Sequence, residues 1–389
     1  MIYLDLTEFL HRPLRTGIQR VNSAFLQNWQ MQEPLQLFLI HRGQAYAVPG
    51  EFRSYIVQFF SDDKCGVERF SVTQIVEKIK VPISLEEFRQ AKAILNLELF
   101  GDQGRVQYYE NLIENGLKSK IFFLVYDMLP WVHPSWFETN SVLGMMDYLH
   151  LLRNLDHLAF ISEQSRQDCF YRVFRRIPNN SAVIPLGSDC FGKVAPKFDP
   201  KKKKFIMVGT LEPRKNIEAA LDAFTEILPD HPEVEFQLIG RFCQLSTETK
   251  SRLDSLVKNC SQFTWDDHPD DQMLYQSMLS ARAMIYPSWC EGFGLPPMES
   301  LALGIPVIVG EHIPSIQMID SFGQIRVKTP DPHSIKQAML QMLDDDFAKN
   351  KTMEIKKLKL PLWQDVPRKL LDWIQQCQLK VRDFSRIAA

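Results

Sequence analysis

The sequence has little of what marks secreted, membrane-spanning or metal-bound proteins. Its 389 residues include seven cysteines, and no two of these have the spacing of a metal site. The first residues show no signal-peptide pattern, so we expect free thiols in a reducing cytosol. No apolar run approaches the roughly 20 residues that span a bilayer. We therefore expect a cytoplasmic protein that is soluble, or at most peripheral at the inner face of the membrane.

An excess of charge of either sign is also absent. Lys and Arg total 45 and Asp and Glu total 47, which gives a net charge of −2. This balance provides no global field that would attract nucleic acid. Apolar residues make up 45% and charged residues 24% of the chain, which is an ordinary globular composition. The length favours two or three domains over one.

What the sequence does contain is an alternation of short apolar strands and amphipathic helices. In the N-terminal half, a strand at residues 1–6 leads through a polar loop to Gly17 and then to a helix. Gly17 is either a plain loop glycine or a point where the backbone approaches a ligand, and Arg15 and Arg20 flank it as candidates for contact with an anion. A second strand is predicted at 35–42.

A helix is predicted over residues 84–99, because Ser84 followed by Glu87 forms a capping-box pattern. Near its end, this half contains the segment YRVFRR (171–176), which mixes aromatic and basic residues. Such a segment is either a helix with snorkelling arginines or a surface in peripheral contact with an anionic membrane.

The clearest strand of this half, Ile121–Val125, is almost wholly apolar, which is typical of a parallel sheet covered on both faces. Polar groups at the carboxyl end of such a strand face the ligand crevice in doubly wound folds. Asp127 and His133 follow the strand and are the candidates. The alternatives are a turn carboxylate and a surface-loop histidine.

The second half repeats the strand and helix pattern after a lysine-rich, proline-containing stretch at 192–204, which we interpret as a solvated linker. The alternation predicts two α/β domains, each with a mostly parallel sheet. We place the N-terminal domain at 1–191 and the C-terminal domain at 205–360.

A loop that joins a strand to a helix, GTLEPRKN (209–216), carries two cations. Gly209 lets the backbone turn and approach a ligand. Arg214 and Lys215 are predicted at or just before the start of the helix, where free N–H groups favour a phosphate. Cations at that position oppose the helix dipole, at a cost of roughly 0.3–1 kcal/mol each, so their presence suggests a bound anion.

The stretch 281–310 reads as buried strand, turn, helix, tight turn and buried strand. Glu291 lies in the turn beside Gly292 and Gly294, which free the backbone to approach a small polar ligand. Glu299 is predicted in the first turn of the following helix, where capping of the helix end is the alternative role. Carboxylates of this kind can accept hydrogen bonds from sugar and ribose hydroxyls.

These residues together resemble a known family. The segments VGTLEPRKN and YPSWCEGFGLPPMESLALGIPVIVG are similar to those of family-4 retaining glycosyltransferases of the GT-B fold, and the E-x7-E motif of that family falls on Glu291 and Glu299. The segments TGIQRV, VYDMLPWVHP, ISEQSR and IPLG resemble the bacterial mannosyltransferase-like subgroup that builds surface polysaccharides. The resemblance implies two Rossmann-like domains facing across a cleft. The domain at 1–191 would lie on the acceptor side, and the domain at 205–360 would bind the nucleotide sugar. The segment 361–389 would be a helix that crosses back to the N-terminal domain.

The resemblance also implies roles for individual residues. Glu291 would bind hydroxyls of the donor sugar, Glu299 the nucleotide ribose, and Arg214 with Lys215 the diphosphate. The catalytic candidates are Asp127, Glu291, Arg214 and Lys215. The donor-binding candidates are Gly17, Gly209, Thr210, Arg214, Lys215, Glu291, Gly292, Phe293, Gly294, Leu295 and Glu299.

Two positions depart from the family pattern. Many members have a histidine where this chain has Tyr126, so Asp127 or His133 becomes the candidate for contact with the sugar. Many members have an arginine where this chain has Thr210, so Arg214 is expected to act instead. No convincing Asp-x-Asp loop is present, and no metal or other cofactor is expected.

We therefore expect a retaining hexosyltransferase that moves a sugar, with GDP-mannose as the guessed donor, to a hydroxyl of a glycan or lipid-linked glycan. The alternatives are a sugar-nucleotide epimerase on the same fold and a non-catalytic paralogue that binds a glycan or a partner.

Overall fold

A computed structural model of the protein describes residues 1–14, 16–30, 32–59, 81–175 and 181–387, with side chains through residue 379. Arg15 lies outside the described residues. The chain divides into a first unit, Met1–Gly187 with Leu362–Ala389, and a second unit, Ser188–Pro361. No helix among the described residues is long and apolar enough to cross a membrane.

The first unit is built on a sheet whose seven described strands run in the order β3-β2-β1-β4-β5-β6-β7. All neighbours are parallel except β2 and β3, which form an antiparallel pair at one edge. The central strands are wholly buried because helices cover both faces. The strands are β1 (Ile2–Asp5), β2 (Leu35–His41), β3 (Gln44–Val48), β4 (Ala93–Asn96), β5 (Ile121–Val125), β6 (His157–Phe160) and β7 (Ser181–Val183).

The α-helices described in the first unit lie in the connections between these strands, except for the C-terminal helix, which follows the second unit. They are Thr7–His11, Gly17–Asn28, Glu51–Gln58, Leu85–Gln90, Gln103–Leu112, Leu129–Val132, Thr139–Asn154, Glu163–Gln167 and Asp365–Ile387. Two of them extend into π-helical turns at Ile113–Leu117 and Asp168–Phe174.

The second unit has an all-parallel sheet with the order β10-β9-β8-β11-β12-β13. Its strands are β8 (Lys204–Val208), β9 (Glu235–Ile239), β10 (Phe263–Asp266), β11 (Ala283–Tyr286), β12 (Val307–Gly310) and β13 (Gln324–Val327). Its helices are Ile217–Ile227, Thr247–Asn259, Asp271–Ser280, Leu295–Ala302, Pro314–Gln317, Pro332–Leu343 and Asp345–Glu354. The strand order reverses between β8 and β11, which lie side by side at the centre of the sheet.

The helix predicted over residues 84–99 is shorter in the structure. The capping box of Ser84 and Glu87 is confirmed, but the helix ends at Gln90 and the chain then enters β4. The capping signal fixes where a helix begins and carries no information about its end. The apolar residues of β4 pair with β1 and β5, and this pairing outweighs their helical propensity.

The stretch predicted as a solvated linker contacts the second unit. Val194 donates its N–H to the carbonyl of Ala302 at 3.0 Å. Phe198 packs against the hydrophobic core of this unit, and Lys203 pairs with Asp345 at 3.1 Å. The unit boundary lies between Gly187 and Ser188 rather than within the stretch.

The C-terminal helix belongs to the first unit. Trp363 and Trp373 are buried, and the Trp373 ring meets Phe122 of β5 edge-on with centroids 5.2 Å apart. Gln378 donates a hydrogen bond to the carbonyl of Lys92. A Cβ at Gly187 would lie 2.3 Å from the backbone nitrogen of Trp363, so this contact requires glycine.

Candidate functional site

The candidate site of the second unit forms where its strand order reverses. The loop after β8 contains Gly209, Arg214 and Lys215, and the turn after β11 contains Glu291. Because β8 and β11 are parallel neighbours, their carboxyl ends open at the same edge of the sheet. Loops that leave a doubly wound sheet at this point form its ligand crevice.

The backbone of the β8 loop is held in a conformation that depends on glycine. Gly209 has φ +141° and Gly240 has φ +149°. A Cβ at Gly240 would lie 1.9 Å from the carbonyl oxygen of Gly209, so the loops after β8 and β9 can pack this closely only without that side chain.

The two cations of the loop lie in a short 3₁₀ turn, Pro213–Lys215, and not in the α-helix itself. Asn216 follows in the left-handed conformation at φ 56°, and the helix Ile217–Ile227 begins after it. The Asn216 side chain donates hydrogen bonds to the carbonyls of Pro287, at 3.2 Å, and Pro330, at 2.6 Å. These bonds tie the loop that carries the cations to the turn that carries Glu291.

Glu291 is the centre of a buried ionic cluster. Its Oε1 accepts a hydrogen bond from Lys215 Nζ at 2.6 Å, and its Oε2 accepts one from Arg214 Nη1 at 2.8 Å. Lys215 Nζ also donates to the Tyr286 hydroxyl at 3.0 Å. On its other side, Arg214 Nε lies 2.7 Å from Glu212 Oε2, an ion pair whose angles are not those of a hydrogen bond.

Burial and the two cations act in opposite directions on Glu291. Burial is the largest influence and raises the pKa of the carboxyl, but Lys215 and Arg214 together outweigh it and lower the pKa to about 2. Burial lowers the pKa of Lys215, against the attraction of Glu291. Glu291 is therefore ionised at neutral pH, and a further anion near Lys215 would favour the charged ammonium.

The negative charge that the two cations require comes from the chain itself. The sequence predicts that cations at a helix start need a bound anion, but Glu291 and Glu212 already supply negative charge inside the chain. The capacity for a ligand lies in the remaining donors. Lys215 has three ammonium hydrogens, and its contacts with the described residues use two of them.

The turn after β11 is fixed by a second glycine. Gly294 has φ +94°, and a Cβ there would lie 2.7 Å from Ile313 Cγ2. Ser315 donates its N–H to the Phe293 carbonyl at 2.9 Å and its hydroxyl to the Gly294 carbonyl at 2.8 Å. Gly292, Phe293 and Gly294 are all buried, so they support the turn.

Glu299 lies one turn later in the helix than predicted. The helix begins at Leu295, with Pro296 in its first turn, and Glu299 is its fifth residue. Its side chain is 7% exposed. The dipole-capping alternative is therefore wrong, because that effect is confined to the first turn.

The other candidates lie in the first unit. Asp127 follows β5 and accepts the N–H of Leu129 at 3.1 Å, which is a turn contact. The preceding Tyr126 is buried, and its hydroxyl donates to the carbonyl of Leu97 at 2.7 Å, so it does not replace an exposed histidine. Gly17 is the first residue of its helix and is exposed, with Thr16 as the N-cap.

His133 stacks on Trp136, with ring centroids 4.6 Å apart. Burial and then the charge of Arg172 lower its pKa, and Asp168 opposes the shift. At neutral pH this places a neutral imidazole in a loop of the first unit, consistent with the surface-loop alternative.

Sequence reasoning missed two members of the cluster. Tyr286 is the last residue of β11 and was read only as part of a buried strand, yet its hydroxyl faces Lys215. Glu212 lies between Gly209 and the cations and was passed over. The available signal was position, since both lie at or just beyond the carboxyl end of a central strand. Among the described residues, no group of three or more His, Cys, Asp or Glu side chains could hold a metal ion.

The fold and this edge of the sheet define a doubly wound α/β protein with a candidate anion-binding site in its second unit. Residues 193–358 match the model of the family "Glycosyl transferases group 1". O-antigen chain mannosyltransferase B of Escherichia coli is 30% identical over 273 residues, which are 66% of this chain and 69% of that protein. The chain belongs to the glycosyl transferases group 1 family.

Other relatives are longer than this chain. Serotype-specific mannosyltransferase WbdA of Escherichia coli is 24% identical over 327 residues, which are 79% of this chain and 38% of that protein. The chain thus spans well under half the length of the first curated relatives that it matches.

Solved structures share the fold across nearly the whole chain. Anabaena Alr3699/HepE, crystallised with UDP and glucose, has a TM-score of 0.64 at 11% identity, with 96% of this chain and 99% of that chain covered. WaaG, a glycosyltransferase involved in lipopolysaccharide biosynthesis, has a TM-score of 0.60 at 12% identity and the same coverage. The predicted fold class, two doubly wound α/β domains as in GT-B glycosyltransferases, is confirmed.

Proposed function

We propose that the protein is a retaining glycosyltransferase of family 4 that moves a sugar from a nucleoside diphosphate donor to a hydroxyl of a glycan or lipid-linked glycan. The observation that carries the proposal is the buried cluster of Arg214, Lys215 and Glu291 at the strand-order reversal of the second unit. In this proposal the cations would hold the diphosphate, and the carboxylate would accept hydrogen bonds from hydroxyls of the attached sugar. Relatives that are O-antigen mannosyltransferases support a role in surface polysaccharide synthesis.

The chemistry would rest on the leaving diphosphate. As the glycosidic bond to the donor phosphate breaks, negative charge develops on the phosphate oxygen, and Arg214 and Lys215 would stabilise it. The same phosphate would take the proton of the incoming hydroxyl on the face it leaves, which gives retention without a protein nucleophile. Because Glu291 is ionised at neutral pH, it can only accept hydrogen bonds, which suits a group that would bind the hydroxyls of the sugar.

GDP-mannose is the proposed donor, because three different relatives are named as mannosyltransferases. The test incubates the full chain with GDP-mannose, UDP-glucose and UDP-N-acetylglucosamine, with and without a mannose-containing oligosaccharide. Nucleotide release that depends on the acceptor, with a product of unchanged anomeric configuration, supports the proposal. Interconversion of the sugar without an acceptor would identify an epimerase, and no turnover with any donor would favour a non-catalytic paralogue.

The diphosphate role is tested separately by binding. The double variant Arg214→Ala and Lys215→Ala should weaken GDP or UDP binding by at least about tenfold, since charge-assisted bonds contribute roughly 1.5–3 kcal/mol each. Nucleoside binding should change little. The matched control, Lys250→Ala with Arg252→Ala, removes two exposed cations from a helix of the same unit. Equal losses for nucleoside and nucleotide would contradict the diphosphate role.

We also propose peripheral contact of the first unit with an anionic membrane. Tyr171 is 63% exposed beside Arg172 and Arg175, and Trp131, on a helix that packs against this segment, is 39% exposed. Aromatic and basic side chains of this kind bind at a lipid headgroup surface. Sedimentation with phosphatidylglycerol vesicles should exceed that with phosphatidylcholine vesicles, and Tyr171→Ser should reduce it. Equal sedimentation with both vesicles would contradict the proposal.

A further inference from the structure

The first unit contains a cavity of about 770 Å³ at one edge of its sheet. It opens beyond the carboxyl ends of β1 and β2 and beside the start of the helix Gln103–Leu112. Its described lining residues all belong to the first unit, so it is separate from the ionic cluster around Glu291. Its volume lies in the range of small-molecule sites.

A buried guanidinium lines this cavity and has one nitrogen without an acceptor. Arg105 is fully buried and bonds through Nε to Asp5 Oδ2 at 2.9 Å. Its Nη2 bonds to Asn96 Oδ1 and to Glu98 Oε2, each at 2.8 Å. Among the described residues, Nη1 has no hydrogen-bond partner. This nitrogen is itself buried, so Arg105 contributes positive charge to the wall of the cavity rather than a hydrogen bond to a ligand.

The rim of the cavity carries two further guanidinium groups. Arg12 and Arg42 are exposed, and neither forms an ion pair with a described residue. The rings of His11 and His41, the sequence neighbours of these arginines, stack with centroids 6.2 Å apart. Guanidinium groups bind phosphate and carboxylate oxygens with paired hydrogen bonds, so the two arginines suit an oxyanion.

Carboxylates also line the cavity. Glu8 lines it from the helix Thr7–His11, and Asp102 lines it from the start of the next helix, where one of its oxygens already accepts the N–H of Arg105 at 2.7 Å. Carboxylates accept hydrogen bonds from hydroxyl groups. A cavity for a simple anion would not gain from them, because they repel it. The combination suits one ligand that has both an oxyanion and hydroxyl groups.

We propose that this cavity binds a saccharide bearing a phosphate or carboxylate group, as part of the acceptor in the transfer proposed above. The acceptor role rests on that proposed function, whereas the binding site rests on the cavity itself. The oxyanion bonds Arg12 and Arg42, and the hydroxyls bond Glu8 and Asp102.

The test measures binding to the full chain by isothermal titration calorimetry, with mannose 6-phosphate, glucuronate, mannose and inorganic phosphate as probes. At least one of the two anionic saccharides should bind at least about tenfold more tightly than both mannose and phosphate. This is expected if the arginines and the carboxylates of the cavity both contribute. Which of the two binds distinguishes a phosphate from a carboxylate ligand. The proposal would be overturned if mannose bound as tightly as the anionic saccharides, or if phosphate were the only probe that bound.

Variants locate the binding. Arg12→Gln with Arg42→Gln should weaken binding of the anionic saccharide about tenfold or more, whereas Arg89→Gln, an exposed arginine of the same unit outside the cavity, should not. Unchanged affinity in the double variant would overturn the assignment. Nucleotide binding by the double variant should match that of the unaltered chain. If no donor is turned over but the anionic saccharide still binds as predicted, the proposed transfer fails and the binding site stands.

Discussion

Replacing Glu291 by glutamine removes the only negative charge that both Arg214 and Lys215 contact among the described residues. The two cations lower the pKa of Glu291 from 4.5 to about 2. Since a difference of one in pKa corresponds to about 1.4 kcal/mol, ionisation of this carboxyl contributes roughly 3 kcal/mol to folding at pH 7. Only 8% of the residue is exposed, so solvent screening reduces this little. Breaking a buried ion pair from one side gives a similar figure, about 3–5 kcal/mol.

We expect Glu291→Gln to lower the free energy of unfolding by about 3 kcal/mol at pH 7 without nucleotide, measured by urea titration followed by circular dichroism. Because the pKa is lowered in the folded state, this contribution is present above the unfolded pKa of about 4.5. It is lost as pH falls towards 2, so the two proteins should converge in acid.

The matched control is Glu226→Gln in the same unit, since Glu226 is 55% exposed and pairs with Lys336 at 3.1 Å on the surface. Such a pair contributes about 0–1 kcal/mol. A loss for Glu291→Gln no larger than for this control, or a loss that persists unchanged at pH 2, would refute the account of the cluster.

Three further results are expected. Tyr286→Phe should cost about 1–3 kcal/mol of unfolding free energy, because buried Lys215 loses an acceptor at 3.0 Å, and no loss in the urea titration would contradict this. Gly240→Ala should cost at least about 2 kcal/mol, because the added Cβ meets the Gly209 carbonyl, whereas Gly50→Ala, with nothing within 4 Å, should cost under about 0.5 kcal/mol. Transfer activity should survive excess chelator, and a loss reversed by Mg²⁺ or Mn²⁺ would show a metal requirement.

Features that depend on neighbouring residues could be predicted from the sequence. The caps at Ser84 and Ser162, the apolar strand β5 and the Gly304 turn after the helix of Glu299 all follow from short-range patterns, and the structure contains each of them. The positions of the loops after β8 and β11 were also predictable, because strand ends can be read from the change in hydrophobicity.

Features that depend on pairing across the chain were not predictable in this way. The segment Ala93–Asn96 becomes a strand because β1 and β5 flank it, and neither neighbour is visible from the local sequence. The buried Arg105 likewise bonds Asp5, which is 100 residues away. A single arginine in a helical pattern reads as a surface residue, so the cavity beside it had no signal in the sequence.

The cluster around Glu291 depends both on local sequence and on contacts between distant residues, and it refines the proposed mechanism. The sequence predicted its loops but assigned separate tasks to Arg214, Lys215 and Glu291, whose contacts join residues 76 and 77 positions apart. In the structure Glu291 contacts both cations, and two positive charges and one negative charge leave the three groups with a net charge of +1. A diphosphate must therefore either share the cations with Glu291 or displace it. Sharing is favoured, because Lys215 has a remaining hydrogen and because displacement would leave a buried carboxylate without its partners. Glu291 would then stay fixed against the cations while it accepts hydroxyls of the sugar, which links donor orientation directly to the charge that stabilises the leaving group.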